Sequence, residues 1–156
     1  MTPETASLFL ADDAATAALA GRVAPLLRAG DTLLLEGNIG AGKTTFARAL
    51  IRARLGREED VPSPTFTLVQ TYDDPEAEIW HCDLYRLTSP DEILELGLDA
   101  AFEDGICLIE WPDRLGTAAP KAALRLVLSP EGDGRIAQFE GSAAWIERLR
   151  IGGALG

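Results

Sequence analysis

Leu33-Leu34-Leu35-Glu36, Gly37-Asn38-Ile39-Gly40-Ala41-Gly42-Lys43-Thr44 and Thr45-Phe46-Ala47-Arg48-Ala49-Leu50 follow one another without a break. The middle eight residues fit G-x-x-x-x-G-K-[ST], a loop that cradles phosphate. The flanks supply the context that this loop requires. Thr32 to Leu35 is an apolar run suited to a buried parallel strand. Phe46, Ala49, Leu50 and Ala53 recur at helical spacing. Glycines at 37, 40 and 42 let the backbone curl closely around an anion. The N–H groups of the loop and of the new helix then point at that anion, and the helix dipole favours negative charge there. By this chemistry Gly37, Asn38, Ile39, Gly40, Ala41, Gly42, Lys43, Thr44 and Thr45 are the expected nucleotide-binding residues, with ATP and Mg²⁺ as cofactors. Lys43 would serve the β- and γ-phosphates, and the Thr44 hydroxyl the metal.

Working outward, Asp12 and Asp13 precede a helical pattern with Leu19, Val23, Leu26 and Leu27 on one face and Gly30 as its stop. Ser7 to Leu10 reads as a short edge strand. Beyond the loop helix, Arg48, Arg52, Arg54 and Arg57 cluster, as a solvated face or as a contact for an acidic partner. Val61-Pro62-Ser63-Pro64 forbids a helix and holds Thr65 in an extended loop. Thr67–Tyr72 and Ile79–Tyr85 read as an antiparallel hairpin around Asp73-Asp74-Pro75-Glu76. Ser89-Pro90-Asp91-Glu92 is a capping box opening a short helix, and Asp99 to Glu103 suits another helical turn. Ile106-Cys107-Leu108-Ile109 ends at Glu110 and suits a central parallel strand. Leu124–Leu128 and Arg135–Phe139 flank a hairpin turn, Ser142 caps a last helix, and about residues 150–156 read as a flexible tail. The fold expected is α/β: one P-loop NTPase-like domain over 1–156, with a mixed, mostly parallel sheet, flanking helices and antiparallel hairpins.

A magnesium site needs a carboxylate near Thr44, usually at the end of an apolar strand. Glu110 and Asp83 both qualify; Glu110 is favoured because it ends a buried run, whereas the alternating strand before Asp83 suits a sheet edge. Asp83 opens Asp83-Leu84-Tyr85-Arg86, a switch-like segment in which it would orient the attacking water or pair with Arg86. Thr65 is placed to sense the γ-phosphate. The catalytic set expected is therefore Lys43, Asp83, Thr65 and Glu110, with Thr44 and Glu110 on the metal. His81, Trp80 and Trp111 read as structural residues. The adenine pocket is faint; Leu10 to Thr16 and the turn near Arg135 are placed to reach the nucleotide's outer end.

Composition narrows the partners. The net charge is −11 over 156 residues, with only two lysines, Lys43 and Lys121. Gripping a nucleic-acid backbone takes an excess of Lys and Arg, so any role near RNA would have to be carried by a basic partner. No apolar run approaches the ~20 residues of a membrane span. The start lacks the pattern of a signal peptide, and Cys82 and Cys107 sit within strand patterns, so a cytoplasmic protein is expected. No Arg-rich lid marks a small-molecule kinase, and the N-K-x-D of GTPases is absent, since the one asparagine lies in the loop. A nucleotide-binding adaptor with negligible hydrolysis keeps the same parts and stays open.

Four landmarks stand in order: the glycine loop, Ser63-Pro64-Thr65-Phe66-Thr67-Leu68-Val69, His81-Cys82-Asp83-Leu84-Tyr85-Arg86-Leu87, and Ile109-Glu110-Trp111-Pro112. Together they resemble the TsaE (YjeE) family of bacterial ATPases, from about Leu8 to Phe139. The resemblance implies a role in making threonylcarbamoyladenosine in tRNA. It implies binding to a TsaB–TsaD heterodimer, with ATP hydrolysis, slow without partners, supporting turnover. It implies Mg²⁺ near Thr44 and Glu110 and switch-like behaviour of the Thr65 loop and the Asp83–Arg86 segment. Asn38 and Cys82 stand where that family commonly has Asp and Phe; neither change removes a phosphate or metal ligand.

Overall fold

The computed structural model describes residues 3–38, 40–56, 61, 68–87, 89 and 91–155, with the backbone alone for Leu94. The chain begins with β1 (Glu4–Leu10), α1 (Asp13–Val23), a 3-10 turn over Ala24–Leu26, β2 (Thr32–Glu36) and α2 (Lys43–Leu55). There follow β3 (Val69–Tyr72), β4 (Ile79–Asp83), α3 (Asp91–Leu96), α4 (Leu98–Asp104) and β5 (Ile106–Glu110). A 3-10 segment over Pro112–Ala118 leads to β6 (Leu124–Glu131), β7 (Gly134–Gly141) and α5 (Ala143–Ile151).

All seven strands form one sheet in the order β1-β7-β6-β2-β5-β4-β3. β2 runs parallel to both of its neighbours, β5 and β6, and β4 runs parallel to β5. The antiparallel pairs, β1–β7, β6–β7 and β3–β4, lie toward the two edges. The central strands are buried on both faces, which is why β2 and β5 read as unbroken apolar runs. Side chains alternate across the sheet. Leu33, Leu35, Leu108 and Leu126 pack with Leu19, Phe46, Leu50 and Leu149 of α1, α2 and α5. Leu34, Cys82, Cys107 and Ile109 pack on the other face with Ile93, Leu98 and Leu115.

Local signals act as expected at several ends. The Asp12 carboxylate accepts from the Ala15 N–H at 2.8 Å, and Ser142 caps α5 through Trp145 N–H. The Glu92 side chain reaches back to the Ser89 N–H at 3.1 Å, closing the capping box. Other expectations need correcting. α1 stops at Val23, not near Gly30, because Pro25 removes a helix donor and a 3-10 turn takes over. β4 is not an edge strand: it lies between β5 and β3, and its buried His81 meets Glu110 at the end of β5 rather than water. Residues 152–155 turn back onto the body, with Ala154 fully buried and its carbonyl accepting from Arg22. Of the arginine cluster, Arg48 and Arg54 do not form a solvated face, and Arg57 lies outside the described residues. Arg54 is buried, pairs with Asp74 at 2.8 Å and donates to the carbonyls of Ala24 and Leu27, while Arg48 donates to the Val61 carbonyl. Among the described residues no helix is long and apolar enough to cross a membrane.

Candidate nucleotide site

The glycine loop leaves the carboxyl end of β2 and turns directly into α2. Gly37, Gly40 and Gly42 all have positive φ, and at two of them a side chain would also meet a close neighbour. Gly37 has φ +148°, and a Cβ there would stand 2.5 Å from the Leu128 carbonyl oxygen. Gly42 has φ +105°, and a Cβ there would meet the Arg135 guanidinium. No side chain caps α2 at Gly42. The positive end of the helix dipole and its first-turn N–H groups therefore face the mouth of the loop, the arrangement that receives phosphate.

A cavity of about 460 Å³ opens there, lined by Gly40 to Thr45 of the loop and helix start and by Asp83, Glu110, Trp111 and Arg135. This is the carboxyl end of the parallel strands, where open α/β sheets bind ligands. The Lys43 side chain is almost buried. Its Nζ donates to the carbonyls of Gly37 and Asn38, the latter at 3.2 Å, and lies 3.9 Å from the centre of a Trp111 ring. Burial pushes this ammonium below its ordinary pKa, against the opposing pull of Glu110, Asp83 and Asp113.

Glu110 joins the loop helix to the sheet. Its Oε1 accepts from the Thr44 hydroxyl at 2.9 Å, and its Oε2 lies 2.7 Å from His81 Nε2. Asp83 is the register partner of Glu110 across β4 and β5. The Asp83 carboxylate accepts from the Tyr85 N–H at 3.0 Å, which shapes the turn that follows the strand. Among the described residues no group of three or more His, Cys, Asp or Glu is arranged to hold a metal. Thr44 and Glu110 nonetheless fit magnesium, which takes one or two protein oxygens and completes its shell with water and substrate phosphates.

The expected residues Gly40, Ala41, Gly42, Lys43, Thr44, Thr45, Asp83 and Glu110 thus all line one cavity. Gly37 and Asn38 meet it through the carbonyls that hold Lys43. Ile39 and Thr65 lie outside the described residues. Asp13 and Arg135 line the outer end, from the two segments expected to reach it, and Arg135 donates to Asp13 at 2.9 Å and to Thr16 at 3.3 Å. Trp111 is more than packing. Its ring meets that of Tyr85 in a tilted contact at 4.9 Å as well as covering Lys43, from a left-handed backbone at φ +59°. Strained backbone of this kind gathers at functional sites and costs of order 1–3 kcal/mol. His81, read as merely structural, contacts Glu110. The signal for it was its place two residues before Asp83 on the same strand face.

A family model described as "Threonylcarbamoyl adenosine biosynthesis protein TsaE" matches residues 10–137. A tRNA threonylcarbamoyladenosine biosynthesis protein TsaE from Rickettsia bellii is 43% identical over 105 residues, covering 67% of this chain and 73% of the relative. One of the same name from Rickettsia felis is 44% identical over 106 residues, covering 68% of this chain and 62%, under two thirds, of the relative. The Bacillus subtilis protein of that name is 40% identical over 119 residues, covering 76% of this chain and 73% of the relative. The crystal structure of YdiB from Bacillus subtilis superposes with a TM-score of 0.80 at 29% identity, covering 97% of this chain and 95% of that one. The strand–loop–helix, the carboxylate at the end of the neighbouring strand and these matches agree: the chain belongs to the TsaE family, proteins of tRNA threonylcarbamoyladenosine biosynthesis.

Proposed function

We propose that this protein binds and hydrolyses ATP in support of threonylcarbamoyladenosine formation in tRNA, acting with a TsaB–TsaD-like heterodimer. The observation that carries this reading is the Thr44–Glu110 contact at the mouth of the glycine loop, beside Lys43. Lys43 would move from the loop carbonyls to the β- and γ-phosphates. The loop N–H groups and the α2 dipole would hold the phosphate oxygens. Thr44 and Glu110 would hold magnesium, which neutralises charge on the β- and γ-phosphate oxygens. Asp83, next to Glu110 in register, would orient the attacking water. Arg135, fixed by Asp13 and Thr16, would meet the nucleotide's outer end. Thr65 keeps its proposed role as γ-phosphate sensor.

The net charge of −11 repels a polyanion, so tRNA would be held by the partner, in the cytoplasm. Tyr85, exposed beside the cavity, and Arg86, also on its lining, sit where a nucleotide-dependent turn would present them to a partner surface. The test is ATP turnover and ATP affinity, each measured with and without the heterodimer. The proposal expects slow turnover alone, a changed rate with the heterodimer, and partner affinity that differs between the ATP and ADP states. No ATP binding, or partner affinity indifferent to nucleotide, contradicts it.

A further inference from the structure

His81 is the single histidine of the chain. It is fully buried in β4, where its neighbour in register on β5 is Leu108, and its ring leans along the strands toward Glu110. A buried imidazole is costly unless it is hydrogen-bonded. Nε2 has such a bond, at 2.7 Å to Glu110 Oε2, and Nδ1 has no partner among the described residues. A hydrogen on Nδ1 would be a buried, unpaired donor, so the tautomer with hydrogen on Nε2 is the one that this pocket accommodates. That hydrogen takes one carboxylate oxygen, and the Thr44 hydroxyl takes the other at 2.9 Å.

We infer that His81 is a positioning residue for the metal-side carboxylate. By holding Oε2 it stops the Glu110 carboxylate from rotating and commits Oε1 to the Thr44 side, where magnesium would be met. Hydrogen bonds behind a metal-binding side chain commonly change metal affinity by about 10–100-fold. The inference rests on the proposed metal role of Glu110.

The experiment compares His81→Leu, His81→Asn and His81→Gln with the parent and with Glu110→Gln. A glutamine amide reaches about as far as Nε2; an asparagine amide reaches only about as far as Nδ1. The readouts are calorimetric affinity for ADP with excess Mg²⁺, affinity for ADP in chelator, and Mn²⁺ binding to the ADP complex followed by electron paramagnetic resonance. Melting curves accompany each variant. His81→Leu and His81→Asn are expected to lose about 10–100-fold of the metal-dependent gain in ADP affinity, with metal-free affinity unchanged. His81→Gln is expected to recover at least part of that loss. If His81→Leu does not fold, the Asn and Gln variants carry the comparison, and equal metal dependence in those two overturns the inference. Parent-like metal dependence in His81→Leu also overturns it. If Glu110→Gln keeps the full metal-dependent gain, the metal role of Glu110 fails and the inference fails with it. Loss in Glu110→Gln without loss in the His81 variants removes this inference alone.

Discussion

Thr44 Oγ1 and Glu110 Oε1 are 2.9 Å apart although 66 residues separate them along the chain. The contact ties the first turn of α2 to the end of β5, and under the proposed function the two neighbouring carboxylates have different tasks, Glu110 at the metal and Asp83 at the attacking water. Thr44→Ala and Glu110→Gln should each weaken Mg²⁺-linked ADP affinity by about 10–100-fold while sparing metal-free binding. Asp83→Asn should leave nucleotide affinity nearly unchanged and cut turnover by about 10²–10⁴-fold, the usual share of a proton-handling group. Paired titrations and single-turnover hydrolysis separate the two; the reverse pattern exchanges the roles.

Lys43→Met should weaken ATP binding by at least about tenfold, because a charged hydrogen bond to phosphate contributes roughly 1.5–3 kcal/mol. The same change should make the free protein more stable. Burial lowers the Lys43 pKa, so the unfolded chain binds this proton more readily than the folded one. Stability from this group is therefore lowest at neutral pH and rises with pH through the window below the ordinary value of 10.5. Melting of parent and variant across that window checks the sign, with the gap narrowing toward high pH.

Arg54 and Asp74 pin α2, the 3-10 turn and the β3–β4 turn to one another, with both side chains almost wholly out of water. Asp74→Ala removes the nearest carboxylate of the guanidinium, leaving Glu76 at 3.6 Å, and should cost about 1.5–3 kcal/mol in denaturant titrations. Burial raises the Asp74 carboxyl, but the hydrogen bond from Arg54, the Glu76 N–H and the Arg54 charge outweigh it and hold its pKa below the ordinary 3.8. The contribution is thus complete above that value and is lost as pH falls through the folded one. Asp74→Asn should flatten this acid limb.

Cys82 and Cys107 are both fully buried. Burial pushes the Cys107 thiol up to about 12 and that of Cys82 well above its ordinary value. At pH 8 neither should react with an aromatic disulfide reagent until denaturant is added, when both should react; titration in the folded state contradicts the packing described.

The glycine loop, its strand and helix, the Glu110 strand and the caps at helix N-termini were legible because each rests on local chemistry: glycine spacing, an apolar run, a capping side chain. Sheet order was not. β6 lies parallel beside β2, and β1 closes onto β7, through side-chain packing between distant segments that no window of sequence displays. The alternation at Ile79–Asp83 suggested an edge because polar residues usually face water. His81 instead meets Glu110, 29 residues away, and both become buried. Arg54 misled in the same way: its place in a basic cluster implied solvent, whereas Asp74, 20 residues on, draws it inside.

The most direct test of the central claim is threonylcarbamoyladenosine formation on tRNA over several turnovers, with a TsaB–TsaD heterodimer and either the parent protein or Lys43→Ala. The account predicts sustained formation with the parent, and formation that stalls early both with Lys43→Ala and with no added protein. Equal sustained formation with parent and Lys43→Ala would contradict it.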